Sequence, residues 1–192
     1  MLAKPFHRHC IFLLGLVLAA GLCAWAQRVK VDPEQRYLLL ATKKTSTMEK
    51  ELAEVAAQGF RILVGSPTSG TEMALLMERV ATPPEIYTYR VLATSHTGTM
   101  QKELNEAAAQ GFRLLPRTMI AKQTAFVGLE IVVILEKPPR IEKRYDYKLL
   151  ATTLTSTLQK EITQSLAEGY QIAGMVSRGE HMVIMEKGSA AR

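Results

Sequence analysis

A phrase of 24 residues is written three times in this chain, and that self-similarity constrains the fold more than any other feature. Tyr37 to Phe60 (YLLLATKKTSTMEKELAEVAAQGF) matches Tyr89 to Phe112 at 16 of 24 positions and Tyr147 to Tyr170 at 12. The copies begin 52 and then 58 residues apart. Self-similarity at such a period marks one supersecondary unit used repeatedly. A single unit of this size buries too little surface to be stable alone. The chain must therefore hold together through contacts between units.

Each copy reads as strand, helix, strand, strand. YLLLAT, YRVLAT and YKLLAT open the units as short β-rich runs whose alternation places Tyr37, Leu39 and Ala41, and their equivalents, on one face. A helix comes next. Ser46 with Glu49, Gly98 with Gln101 and Ser156 with Gln159 have the spacing of a capping box, with glycine replacing serine once. Gly59, Gly111 and Gly169 stand where a left-handed C-terminal cap is needed. Between these marks, Met48, Leu52, Val55 and Ala56 form one apolar stripe, repeated as Met100, Leu104, Ala107 and Ala108; in the third copy Leu158, Ile162 and Leu166 keep the stripe and Ser165 weakens it. Two further strands complete each unit, the last covering Met73 to Arg79, Phe126 to Lys137 and His181 to Lys187. A helical crossover favours parallel first and second strands, and the short link to the third favours an antiparallel hairpin. The expected class is α+β: three tandem β-α-β-β repeats with mixed sheets covered by helices on one face. The expected boundaries are 27–82, 83–138 and 139–187, with 188–192 as a disordered tail.

The first 26 residues differ from the rest. Lys4 and Arg8 give a basic start, Ile11 to Cys23 an apolar run, and Ala24-Trp25-Ala26 a small-x-small cleavage site, which together read as an export signal. The rival readings are a retained anchor, the one case with a membrane contact, and lipoprotein processing at Cys23, against which Leu22 argues. Both cysteines, Cys10 and Cys23, fall in this segment. The exported chain then has no disulfide, cysteine nucleophile or thiolate metal ligand, and packing must stabilise it. Loss of Lys4 and Arg8 lowers the formal charge from +6 to +4. That charge is mixed along the chain without long basic blocks or interleaved aromatics, which argues against nucleic acid. The expected location is periplasmic or extracellular.

An aromatic-led strand ending in Ala-Thr, a helix carrying KEL (KEI in the third copy) and closing on A..GF or A..GY, and an apolar strand ending in Glu-Lys or Glu-Arg resemble the bacterial domain of unknown function 4177 family, in three copies over most of residues 37–187. The resemblance implies a small α+β fold, with no activity and no catalytic residues to carry over.

Several residue groups invite chemistry. Thr45, Thr97 and Thr155, with their neighbouring threonines, could grip a sugar or anion at helix starts, although turn and cap chemistry explains them more simply. Glu78, Glu136 and Glu186 recur near the ends of third strands and could gather around a hard cation; beside Arg79, Lys137 and Lys187 they read more simply as surface charge. His96 and His181 would be the bases of an envelope hydrolase, but no nucleophile motif accompanies them. The second unit is six residues longer than the first, around PRTMIAKQTAF, and Arg117, Met119, Ile120 and Lys122 make this insertion the expected protein-contact loop. The leading expectation is an exported, non-enzymatic interaction or structural protein of the cell envelope with no cofactor and no metal. A small-ligand or carbohydrate binder with a site between repeats is the alternative.

Overall fold

A computed structural model describes residues 29–80, 85–124 and 128–190. The expected export signal at 1–26 lies outside the described residues. Strand β1 (Tyr37–Thr42), helix α1 (Thr45–Ala56), β2 (Phe60–Pro67) and β3 (Met73–Arg79) come first. The middle of the chain supplies β4 (Thr88–Thr94), α2 (Thr97–Ala109), β5 (Arg113–Leu114), a 3-10 turn at Pro116–Thr118, β6 (Ile120–Gln123) and β7 (Leu129–Lys137). The last elements are β8 (Lys143–Thr152), α3 (Thr155–Ala167), β9 (Gln171–Ser177) and β10 (His181–Ala190). The molecule is α+β, with three α-helices and three sheets among the described residues.

The sheets are ordered β1-β3-β2, β4-β7-β5 with β6 also on β7, and β8-β10-β9. Every ladder is antiparallel. The expected mixed sheets are thus corrected. β1 and β2 do run the same way, but the hairpin from β2 folds β3 into the gap between them, so they never pair. β10 also continues through Gly188, Ser189 and Ala190, where a disordered tail was expected, because β8 starts early enough at Lys143 to pair with them.

The helix boundaries differ from the capping-box reading. The helices begin at Thr45, Thr97 and Thr155, and the residues before them, Lys44, His96 and Leu154, make no side-chain cap. Instead Thr42, Thr94 and Thr152 at the strand ends accept hydrogen bonds from the backbone N–H of Lys44, His96 and Leu154, turning the chain into the helix. The C-terminal reading holds: Gly59, Gly111 and Gly169 take φ of 85°, 89° and 89°. At Gly111 a Cβ would also collide with Ile141.

The expectation that helices cover one face of each sheet also needs correction. The α1 stripe of Met48, Leu52, Val55 and Ala56 lies in one core with Leu38, Leu40, Met73, Leu75 and Met77 of the first sheet, and with Tyr89, Val91, Val132 and Ile134 of the second. The alternate residues of the second sheet, Leu92, Ile131, Val133 and Leu135, share another core with the α2 stripe and with Tyr147, Met182 and Ile184 of the third sheet. A third, smaller cluster joins Leu150, Val183 and Met185 to Leu158 of α3. The order through the molecule is sheet, helix, sheet, helix, sheet, helix. Each of the first two helices is held on both sides, and the inner two sheets are covered on both faces. Burying one Leu or Met in these cores stabilises by roughly 1.5–3 kcal/mol, against about 1 kcal/mol for a cap, so the stripes dominate the fold.

Candidate functional site

The junctions between layers are made by polar residues that occur at matching places in the chain. Glu49 on α1 accepts a hydrogen bond from Val91 N at 3.0 Å, and Gln101 on α2 accepts one from Leu149 N at 2.9 Å. These side chains reach forward to the next sheet. They satisfy the free edges of β4 and β8, which pair on one side only. Asn105 strengthens the second junction, taking the N–H of Tyr147 at 2.8 Å and donating to its carbonyl at 2.9 Å, as a neighbouring strand would.

The inward tyrosines lie beside these contacts. Tyr89 Oη accepts from Ile62 N and donates to Glu136, and Tyr147 Oη accepts from Leu114 N at 2.8 Å. Burial is the main cause that drives both phenols well above their ordinary range, and the nearby Glu136 or Glu186 charge adds to it.

Arg61 forms a two-pronged ion pair with Glu136, at 3.0 and 2.7 Å, and covers the Tyr87 ring with its guanidinium 4.2 Å from the centroid. Arg113 repeats the arrangement one layer on, with Glu186 at 2.6 and 3.4 Å and Tyr145 at 4.7 Å. Planar guanidinium groups suit this combined pairing and stacking. The expectation of surface charge at the strand-end glutamates is therefore corrected for two of the three. Glu136 and Glu186 are buried, because an arginine from the preceding layer comes over them. Glu78 is half-exposed and, among the described residues, pairs with Arg36 just before β1 and with no arginine from another layer; the Arg36 side chain is 71% exposed.

A second pair of cations joins the layers at the opposite ends of the strands. Lys122 donates to Lys43 O at 2.9 Å and pairs with Glu130 at 3.3 Å. Arg178 donates to Ser95 O and pairs with Glu180 at 3.2 Å. Lys43 and Ser95 occupy the same place, just before α1 and α2. Arg178 Nε is buried without a hydrogen-bond partner among the described residues.

The insertion expected as a contact loop is mostly part of these junctions. Ile120 belongs to the core around α1, Lys122 is buried, and half-buried Met119 packs against the core around α2. Arg117 is exposed. It lines a broad groove of about 1420 Å³ together with Arg113, Arg140, Lys143, Tyr87 and Tyr145, and the exposed Glu85 and Glu142 line the same groove. Of the helix-start threonines, Thr45 and Thr97 are half-buried and Thr155 is exposed, and none of them lines the groove. His96 Nδ1 lies 3.2 Å from Ser95 Oγ, and His181 Nδ1 lies 3.2 Å from Ser177 Oγ. Among the described residues, no three carboxylate or imidazole groups converge as a metal site would require.

Sequence reasoning missed Arg61, Arg113, Asn105 and Arg178, and misassigned Glu49 and Gln101 as helix caps. A signal for the arginines was present. The second strands begin FRIL, FRLL and YQIA, so arginine occurs in the two copies that have a further layer beyond them, and Gln171 replaces it in the last.

Among the described residues no helix is long and apolar enough to cross a membrane. No family model, curated protein or solved structure matches this chain.

Proposed function

We propose that the chain is an exported, non-enzymatic interaction protein of the bacterial cell envelope, built from three copies of one β-α-β-β unit of the domain of unknown function 4177 type. The observation that carries this reading is the use of its most suggestive polar side chains. Arg61, Arg113, Glu136, Glu186, Tyr89 and Tyr147 are committed to one another as junctions between layers. The outward feature near them is the wide groove with Arg117, Arg140 and Lys143 on its exposed rim. Its open form, with Glu85 and Glu142 beside these cations, suits an extended protein segment of mixed charge better than a small enclosed ligand. Exposed charges of both signs fix the register of such a segment, and the tyrosine faces add contact area.

The test is a photo-crosslinking residue at position 117 in the full chain, expressed in its native envelope. Capture of a discrete protein partner, lost when Arg140→Glu and Lys143→Glu reverse the rim charge, is the expected outcome. The reading fails if the purified protein turns over ester or glycoside substrates and His96→Ala or His181→Ala abolishes that turnover.

A further inference from the structure

The two ends of the layered body carry the two halves of a junction already made twice inside it. At the first end, the outer face of β1 is bare. Tyr37 is 47% exposed and Leu39 65%, whereas the corresponding Tyr89 and Val91 are 5% and 9% exposed beneath α1. Among the described residues, the β1 edge also lacks the contact that β4 and β8 receive, a helix side chain accepting from the backbone N–H at the place of Val91 and Leu149. At the last end, the outer side of α3 is bare. Leu166 is 47% exposed where Ala56 and Ala108 are each 1% exposed, and Ile162 is only half-buried where Leu52 and Leu104 are fully covered. Gln159 occupies the place of Glu49 and Gln101, yet its side chain has no hydrogen-bond partner among the described residues.

We propose that these ends bind each other between molecules, so that α3 of one copy packs on the bare β1-β3-β2 face of the next. The occupant is a second copy of this chain because the contact continues an interface already present in the fold. Alternation would continue across the boundary as helix then sheet. Gln159 would take the N–H of Leu39, as Glu49 takes that of Val91, and Tyr37 would meet the backbone N–H of Ile172, as Tyr89 meets that of Ile62. Different surfaces meet in such a contact, so it does not saturate at a dimer and generates open stacks.

The contact between copies is weaker than the internal junctions for two visible reasons. Gln171 replaces the arginine that would reach forward, and Arg36 already occupies Glu78. The Thr68 to Glu72 turn also supplies no cation for the carbonyl of Thr153, the counterpart of Lys43 and Ser95. Association is therefore reversible and dependent on concentration. The inference rests on the layered interaction-protein reading, but it names the partner of the end faces and not of the groove.

Sedimentation equilibrium on the chain after leader removal tests it, with two variants at exposed positions, Leu39→Glu and Leu166→Glu. The average mass of the unmodified chain should rise with concentration beyond that of a dimer through the micromolar to millimolar range. Each variant alone should remain monomeric, and an equal mixture of the two should form a one-to-one dimer and stop there, since the two ends left free in that dimer are the ones that carry the introduced glutamates. Unchanged thermal melts of the dilute variants would show that the fold is intact. A monomeric unmodified chain at every concentration overturns the proposal, as does a variant that still dimerises alone or a mixture that does not pair. None of these results touches crosslinking at position 117, so the groove reading survives or fails separately.

Discussion

Helices α1 and α3 are written in nearly the same words and buried to different extents. Met48, Leu52, Val55 and Ala56 of α1 are all buried, whereas in α3 only Leu158 and Ser165 are. The stripe is apolar in both. The difference lies in the next layer along the chain: α1 is covered by the second sheet, and among the described residues no fourth sheet covers α3. Burial along these helices is thus a property of the neighbouring layer as much as of the helix itself, which sequence periodicity within one unit does not reveal.

The strongest way to break this comparison is to remove the same methyl groups from both helices. Leu52→Ala should cost about 2–5 kcal/mol, because both layers close around the cavity. Ile162→Ala should cost roughly 1 kcal/mol, in keeping with partial burial. Urea unfolding of both variants checks this, and equal losses would show that the last helix is as enclosed as the first.

Next in size are the carboxylates. Glu136→Ala removes the partner of Arg61 and of the Tyr89 hydroxyl, and should destabilise by about 1–3 kcal/mol once the partial exposure of Arg61 is allowed for. Glu78→Ala breaks a pair whose arginine is mostly in water, and should cost distinctly less. Thermal melts of the two variants, made at the same pH and salt, give the ranking.

The tyrosines sharpen the comparison through pH. Burial, and then the nearby carboxylate charge, raises Tyr89 and Tyr147, while a 2.5 Å hydrogen bond to Asp146, and then burial, pushes Tyr170 up to about 12. A phenol raised in the folded state keeps its proton where the unfolded chain has lost it. The stabilisation is therefore complete below the ordinary tyrosine value of about 10 and is lost as pH climbs past it. Stability should fall from about pH 10 upward, and Tyr89→Phe should flatten that fall. A slope unchanged by the substitution would mean that Tyr89 ionises normally.

The smallest effect concerns the side chains that reach forward. Gln101→Ala should cost about 0.5–1.5 kcal/mol through the lost bond to Leu149 N. In dilute solution Gln159→Ala should leave the melting temperature unchanged. A loss at Gln159 equal to that at Gln101 would reveal a partner for it within one molecule.

Much of the architecture is legible in the sequence. The strand-helix-strand-strand order at the start and end of the chain, the buried stripes of α1 and α2 and the positive-φ glycines come from local periodicity and from the absence of a Cβ, whereas the middle of the chain adds the strand β6 to that order. The third strands hold a further clue. Met73 to Arg79 alternates buried with half-buried residues, whereas Ile131 to Glu136 is buried throughout. The continuous apolar run IVVIL is the pattern that a strand covered on both faces requires. The strand order within each sheet is less accessible, since it depends on the β2–β3 hairpin taking the gap beside β1. The junctions are hardest to read. Glu49 fits a helix cap by spacing alone, and only the position of β4 shows that its carboxylate points elsewhere. Lys122 and Ile120 look exposed because an insertion usually is; the folding of β6 onto β7 brings them inside.

Because α1 and α2 are each finished by the sheet that comes after them, the chain matures in one direction. As synthesis delivers it from the amino end, α1 can settle on its own sheet, but its outer stripe stays wet until β4 and β7 arrive some tens of residues later. Every layer is thus a temporary lid awaiting its own. A truncation at a joint between layers would strand a greasy surface of the kind that the described residues show at their first sheet and last helix.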